Sequence, residues 1–525
     1  MLEMCTDEKV GPSRTILFLL VGAGLFLGGA SVSVGAYGGG SGTEGDPYLI
    51  YDANQLNAIG ANFLDGNKHF KLMADIDMSG FNGLDGNPSF NIIEHFSGVF
   101  DGNDCVISNF SLIPTDANEL LNIAAIGMFG AISGESCEIR NVILRDILVD
   151  GRAVGKSAGG LIGRAHEASV IYGCRIENGH VFGDCAAGGL IAVGFEFVMF
   201  DCHVWCNVEA DSLLNCGPIA GLLVGSSEGD IYDCTCSGSV SGETVGGLVG
   251  WSGFATIMGC ESRASVTGGQ WASAGGLAGI SNANIFDCLA TGDVLALGYT
   301  AGGLVGTNAG RISRSFAIGS VVCGDCYSAG GLVGENLDSE IDEFKSRVTY
   351  SFATGNVSGY SRVGGLVGNN AGTISHSYAS GVVEGAMEVG GLVGRNSNPY
   401  SDGVQYGNGN IYKSYSNGSV SGNSHVGGLV GLSVENTVVE DSFWDRQTSS
   451  QASSDGGIGR TTGQMHQEIT FSSAGWDFVE VWDIGENQTY PYLRKHIAGD
   501  MNRSGLVDWR DFAIFALHWL EGGAI

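Results

Sequence analysis

The residues best placed to do chemistry lie near the end of the chain. Asp500, Asn502, Ser504, the Leu506 carbonyl, Asp508 and Asp511 fall at positions 1, 3, 5, 7, 9 and 12 of a twelve-residue stretch, with Gly505 at position 6. Ca²⁺ takes six to eight hard oxygens, and a loop of this length supplies them from those places, a glycine making the sharp turn. The expected chemistry is binding of one Ca²⁺ ion. Ser504 stands where Asp or Asn is more usual, which removes one charged ligand. The apolar stretch Phe512–Leu520 reads as the helix that follows the loop.

Other constellations are weaker. Gly155-Lys156-Ser157-Ala158-Gly159 and Gly225-Ser226-Ser227-Glu228-Gly229 satisfy the spacing of a nucleophilic serine elbow, but no strand–turn–helix setting surrounds them. Gly151–Ser157 approaches a phosphate-binding loop and fails at its leading position, Asp150. Cys202-His203-Val204-Trp205-Cys206 has zinc-like residue types, yet strand alternation turns His203 away from Cys202. Cys323-Gly324-Asp325-Cys326 sits at a turn and is read as a tight disulfide ahead of a redox or metal role. Asp338, Glu340, Asp342 and Glu343 read as a solvated acidic loop. Acidic residues elsewhere do not recur in a column that would converge on a substrate, so no catalytic residue is assigned.

The elements that carry these residues come from a repeat. Gly-Gly-Leu-Val-Gly or a near copy stands at Gly159–Gly163, Gly246–Gly250, Gly275–Gly279, Gly302–Gly306, Gly330–Gly334, Gly364–Gly368, Gly390–Gly394 and Gly427–Gly431, with degenerate copies around Leu190 and Leu222. The central leucines, from Leu161 to Leu429, recur about every 30 residues. Such a period means a solenoid, because one unit cannot bury its apolar face without stacking on its neighbours. A second phrase follows each first one, as in Ile285-Phe286-Asp287-Cys288 and Ile374-Ser375-His376-Ser377. Short alternating runs bounded by Gly, Asn, Ser and Asp are strands joined by tight turns. The expectation is an all-β, right-handed parallel β-helix with about three strands per coil and terminal caps. Eleven coils would span about 50 Å at strand spacing.

Two consequences follow from the phase. Cys174, Cys202, Cys234, Cys260 and Cys288 lie 11–13 residues after their leucines, and Ser315, Ser377 and Ser442 take that place later. They should form one buried column of reduced thiols and hydroxyls. The phase slips at Glu335–Arg347 and Arg395–Asn410, two insertions at the same corner with one coil between them. Insertions of this kind map to loops, often on the binding face. Tyr400 and Tyr406 offer flat rings there, and Asn398, Asn408 and Asn410 offer donors and acceptors, making these five the candidate ligand-binding residues.

The bulk numbers agree. Glycine is 88 of 525 residues and proline only 7, so the glycines punctuate turns in a chain that is 44% hydrophobic. A net charge of −32 argues against nucleic acid and anionic lipid as partners. Lys9 and Arg14 precede the apolar run Ile16–Gly29, and Val34-Gly35-Ala36 offers a cleavage site, so residues 1–36 read as a secretion signal. No later stretch is apolar enough to insert into a membrane. Loss of Cys5 with the signal leaves 13 cysteines, an odd number, so at least one thiol stays unpaired or pairs between molecules.

The repeated phrase resembles the GLUG-motif repeat, named for its Gly-Leu-hydrophobic-Gly core, over about residues 126–445. Gly42–Ile50 with Phe100-Asp101-Gly102-Asn103 is similar to the entry cap of bacterial surface solenoids. Phe443-Trp444-Asp445, Gly475–Phe478 and Tyr490–Leu493 are similar to an exit cap. The resemblance implies a secreted or cell-surface bacterial protein without catalytic residues in its repeats. The C-terminal calcium loop resembles one dockerin repeat where a dockerin has two, which implies docking to a cohesin-like protein. The chain is therefore laid out as 37–125 for the entry cap and first coils, 126–445 for the repeats, 446–497 for the exit cap and 498–525 for the calcium segment. The preferred reading is a non-enzymatic, adhesin-like binding and scaffolding protein for glycans or cell surfaces. Two alternatives stay open: an accessory component of an extracellular polysaccharide-degrading system, and a β-helical carbohydrate-active enzyme.

Overall fold

One repeat closes into one coil. Thr300–Gly302, Val305–Asn308, Arg311–Ser313, Phe316–Ala317 and Val321–Cys323 are successive short strands, and Ser328–Gly330 then lies in register on Thr300–Gly302. The computed structural model describes residues 37–84, 87–116, 120, 123–211, 217–337, 346–397, 400–401, 404–405 and 408–494. About 12 such turns stack as a parallel β-solenoid, and strands make up 53% of the structure. Two long parallel sheets, of 24 and 27 strands, run the length of the stack. The later coils hold five short strands each where the sequence suggested three. In earlier coils some of these merge, as in the 15-residue strand Glu261–Gly275.

The Gly-Gly-Leu-Val-Gly phrase is a sharp inward bend. Leu304, Leu332, Leu366 and Leu392 are fully buried at its tip. Each passes its backbone N–H to the leucine carbonyl of the next coil, Leu304 to Leu332 at 2.8 Å and Leu332 to Leu366 at 2.8 Å. Burial of one such side chain is worth about 1.5–3 kcal/mol. The paired glycines are required by space. A Cβ on Gly302 would lie 1.9 Å from the Val305 carbonyl oxygen, and one on Gly303 would lie 2.1 Å from that of Gly331.

The thiol column is present. Cys174, Cys202, Cys234, Cys260 and Cys288 are buried and free. Cys234 Sγ donates to the Tyr232 carbonyl at 3.2 Å and accepts from the Cys202 N–H at 3.4 Å. Serine continues the same pattern. Ser315 Oγ donates to the Ser313 carbonyl at 3.0 Å and accepts from the Cys288 N–H at 3.1 Å, and Ser351, Ser377, Ser414 and Ser442 accept in turn from the coil before at 3.2 Å. Burial pushes the Cys202, Cys234 and Cys288 thiols well above their usual range, so they stay protonated. The residue before each column member is left-handed, from Asp201 (φ 52°) through Asp287 (φ 53°) to Lys413 (φ 45°), and this kink forms the corner.

A second internal ladder is made of asparagine. Asn308, Asn336, Asn370 and Asn396 are fully buried. Each Nδ2 donates to the Oδ1 of the next, at 2.8, 2.9 and 2.9 Å. Ser227, Ser252 and Ser281 hold the same register position in earlier coils.

Both ends of the described stack are covered. The helix Ala53–Ala61 is capped by Asp52, which accepts from the Gln55 N–H, and buries Leu56 and Ile59. At the other end Thr462–Met465 and Glu468–Ser472 lead into the antiparallel pair Trp482–Asp483 and Tyr492–Leu493. Met465, Phe471, Trp476 and Trp482 form a separate apolar cluster with Tyr415 and Phe443. That cluster lies on an aromatic column in which Phe316, Phe352, Tyr378 and Tyr415 stack at centroid spacings of 4.2, 4.8 and 5.0 Å.

Candidate binding face

The two insertions leave the stack where the asparagine ladder ends a strand. Asn336, Asn370 and Asn396 are in register, as are Arg347, Thr373 and Asn410. The first insertion therefore leaves after Asn336 and returns at Arg347, the second leaves after Asn396 and returns at Asn410. The coil between them crosses the same corner through Ala371 and Gly372. The expected starting points shift slightly, because Glu335 and Arg395 belong to the strands Val333–Asn336 and Val393–Asn396.

Those two strand residues belong to a charged cluster at the insertions' foot. Glu335 is buried, and its carboxylate accepts from Asn369 Nδ2 at 3.2 Å with Arg362 4.0 Å away. Arg362 Nε lies 3.4 Å from Glu388 Oε2, and Arg395 donates to Glu388 Oε1 at 2.9 Å. Burial raises the Glu335 pKa above the usual carboxylate range despite Asn369 and Arg362, which both lower it. Arg362 also lies over the Tyr327 ring, 3.7 Å from its centroid, and Tyr327 stacks on Tyr299 at 6.2 Å.

Tyr299 and Tyr327 are part of a larger exposed ridge. The coil corner just before the Gly-Gly bend carries Trp271, then Leu295, Leu297 and Tyr299, then Val322 and Tyr327, then Tyr360, then Met387, with exposures from 39% to 75%. Leu295 and Val322 are direct neighbours in register, and Ser361 pairs with Met387. Monomer surfaces seldom hold so many large apolar groups together. A disulfide between Cys323 and Cys326 closes the turn before Tyr327, with Cα atoms 5.5 Å apart, as the spacing led one to expect. Tyr299 (φ 68°), Arg362 (φ 47°) and Glu388 (φ 55°) are all left-handed here, an uncommon conformation for bulky residues.

The sequence-derived site residues divide between described and undescribed parts of the chain. Asp500, Asn502, Ser504, Leu506, Asp508 and Asp511 lie outside the described residues, as do Asn398, Tyr406 and the acidic residues 338–343. Tyr400 starts a two-residue strand paired antiparallel with Val404–Gln405. Asn408 is half-buried at the return of the second insertion, and Asn410 pairs with Thr373 and Val438. His203 faces outward, with Nδ1 2.7 Å from Thr235 Oγ1, while Cys202 and Cys206 face the core. Among the described residues no three His, Cys, Asp or Glu side chains converge as metal ligands. No helix among them is long and apolar enough to cross a membrane.

Comparison with known proteins places the repeat. Residues 325–358 and 359–384 match the GLUG motif. These are the segments that carry Tyr327, Glu335, Tyr360 and Arg362. The chain is 30% identical over 513 residues to a candidate Gly-rich membrane protein of Evansella cellulosilytica, covering 91% of this chain and 48% of that one. It is 31% identical over 154 residues to the halomucin of Haloquadratum walsbyi, covering 25% of this chain and 2% of that one. The chain thus spans about half the length of the first relative and a small part of the second. Among solved structures, an IgA1 protease aligns at 14% identity over 57% of this chain and 22% of its own, with a TM-score of 0.35. A candidate immunoglobulin A1 protease from Bacteroides ovatus aligns at 18% identity over 88% and 96%, with a TM-score of 0.31. Likeness at that level carries no functional argument.

Proposed function

We propose that this protein is a secreted or surface-exposed, non-enzymatic binding and scaffolding solenoid that engages glycans or cell surfaces through the Trp271–Met387 ridge. The observation that carries the reading is the run of exposed large side chains on successive coils, beside the ion pairs of Arg362 and Arg395 with Glu388 and the buried Glu335. Trp, Tyr and Arg are the residue types that dominate binding hot spots, and rigid strands hold them at fixed spacing. Coil spacing of about 4.8 Å repeats the ridge at a regular step along the solenoid axis. The Evansella relative's description as a membrane protein fits a surface location. Tyr400, Tyr406, Asn398, Asn408 and Asn410 of the second insertion are proposed as further ligand contacts. Ca²⁺ held by Asp500, Asn502, Ser504, Leu506, Asp508 and Asp511 would serve attachment, including docking to a cohesin-like protein. The test is binding of the secreted chain to a glycan array and to native cells, comparing wild type with Trp271→Ala and Tyr327→Ala. Loss of binding in both supports the ridge; unchanged binding removes it.

A further inference from the structure

Tyr327 stands in the middle of the ridge, and one corner of its coil decides where the ring lies. Four residues, Gly324-Asp325-Cys326-Tyr327, cross that corner between Cys323 and Ser328. The coil before crosses it with three, Leu297-Gly298-Tyr299, since Ala296 pairs with Cys323 and Thr300 with Ser328. The coil after crosses it with two, Tyr360-Ser361, since Val322 pairs with Ser358 and Ala329 with Val363. The longest of the three corners is therefore flanked by shorter ones that give it little backbone to rest on. The Asp325 N–H reaches the Leu297 carbonyl only at 3.4 Å. Gly324 is exposed, and a Cβ there would meet nothing nearer than the Leu297 carbonyl oxygen at 3.7 Å. Tyr299 turns its corner in left-handed backbone (φ 68°), and Tyr327 does not. Yet the two rings lie nearly parallel, 11° apart, and the Tyr327 and Ser328 N–H groups both donate to the Tyr299 carbonyl, at 2.9 and 3.1 Å.

We infer that the Cys323–Cys326 disulfide is a clamp that positions Tyr327, and through it Arg362, for the ligand; this rests on the reading of the ridge as the binding surface. The bond joins the residue that enters the corner to the residue just before the ring. Both cysteines are buried, so the corner is pinned from the core side while Tyr327 stands half-exposed. Closing a loop removes conformers that the open chain would sample. An unclamped corner with a glycine in open space would give up those conformers only on binding, at the expense of affinity, whereas the clamped corner has given them up beforehand. The effect extends one coil further. The Arg362 guanidinium lies 3.7 Å from the centroid of the Tyr327 ring, with Glu388 at 3.4 Å and Glu335 at 4.0 Å. A displaced ring takes away the face on which that guanidinium rests. Cys323 and Cys326 act through Tyr327 and are positioning residues.

The test separates the clamp from the surface it serves. Cys323→Ala/Cys326→Ala opens the corner, and alanine already fills the place of Cys323 in the coil before, at Ala296. Cys326→Ser stands in if that variant lacks the main thermal transition of wild type. Hydrogen exchange of the full chain, measured without ligand, should be about tenfold faster over residues 324–328 in the open variant. Binding to native cells and arrayed glycans should weaken about fivefold. In a Tyr327→Ala background, opening the corner should weaken binding less than about twofold further, because the ring it positions is gone. Cys323→Ala with residue 326 removed gives the corner the three residues of the coil before, and should restore binding to within about twofold of wild type. Equal exchange in wild type and the open variant overturns the inference. So does a loss of binding that persists in the Tyr327→Ala background, which would make the disulfide a general staple of the coil. Unchanged binding by Tyr327→Ala would instead remove the ridge as the binding surface, and the ligand-free exchange rates would still decide whether the disulfide holds the corner.

Discussion

Asn308 Nδ2 donates to Asn336 Oδ1 at 2.8 Å, although 28 residues of chain separate them. The pair is one rung of a ladder that runs on to Asn370 and Asn396 inside the solenoid. Asn308 and Asn396 also donate to the carbonyls of Gly310 and Gly409, at 3.1 and 3.0 Å, so the ladder ties each strand end to the corner where the insertions leave. Buried amides of this kind are stable only when the run is complete.

Asn336→Ala removes a central rung and leaves the Asn308 donor and the Asn370 acceptor without their partners. A loss of about 2–3 kcal/mol is expected, from unsatisfied buried groups at both sides of the gap. Urea unfolding followed by circular dichroism measures it; a loss below about 0.5 kcal/mol would mean that the ladder is incidental.

The thiol column predicts a substitution that is nearly silent. Ser315 occupies in its coil the place of Cys288 in the preceding one, with the same bonds to the carbonyl two residues back and to the neighbouring N–H. Cys234→Ser should therefore cost less than about 1 kcal/mol, whereas Cys234→Leu should cost about 1–3 kcal/mol by overpacking. A thiol reagent should leave Cys174, Cys202, Cys234, Cys260 and Cys288 unmodified until the protein is unfolded; reaction in the native state would contradict their burial.

Glu335 gives a pH signature. Burial raises its folded-state pKa, so the folded protein holds the proton more tightly than the unfolded chain. Its contribution to stability is complete below the unfolded carboxylate value of about 4.3 and is lost as pH rises through the folded value. Glu335→Gln keeps an acceptor for Asn369 and removes that loss. The variant should melt at a higher temperature than wild type near neutral pH, and the two curves should meet as the solution is acidified. A variant that is less stable at every pH would show that the Arg362 attraction outweighs desolvation.

Gly303→Ala tests the inward bend. The new methyl group would meet the Gly331 carbonyl oxygen at 2.1 Å, backbone that adjacent coils hold in place. A cost of about 3 kcal/mol or more, or failure to fold, is expected at this position. Gly45, with nothing within 4 Å of its Cβ position, should accept alanine freely.

The fold was legible because each rung repeats one local rule. The spacing of Leu304, Leu332 and Leu366 reads directly as stacking, and the nearly equal offsets of Cys234 and Ser315 from their leucines read as one buried column. The number of strands per coil was not legible, since the corners at Asp233 and Asp287 depend on left-handed backbone that Asp tolerates but does not announce. The ridge was hidden for a different reason. Leu295, Tyr299 and Tyr327 lie outside the recurring phrases, so their exposure is decided by which side of a corner they leave. Glu335 was read as the first residue of a loop, and only the register with Asn369 shows it to be a buried strand residue. The insertions are legible as a phase slip, because Leu332 to Ser351 and Leu392 to Ser414 are 19 and 22 residues where other coils have 11–13.

The central claim is that the Trp271–Met387 ridge is the surface that binds. The most direct measurement is the affinity of the secreted full-length chain for native cell surfaces and for arrayed glycans, with Trp271→Ala, Tyr327→Ala and Trp205→Ala compared side by side. Trp205 is also exposed, at 60%, but lies on an earlier coil away from the ridge and serves as the control. The account predicts that Trp271→Ala and Tyr327→Ala each weaken binding at least tenfold, about 1.4 kcal/mol, and that Trp205→Ala changes it less than twofold. Equal binding by all three variants and wild type would contradict it.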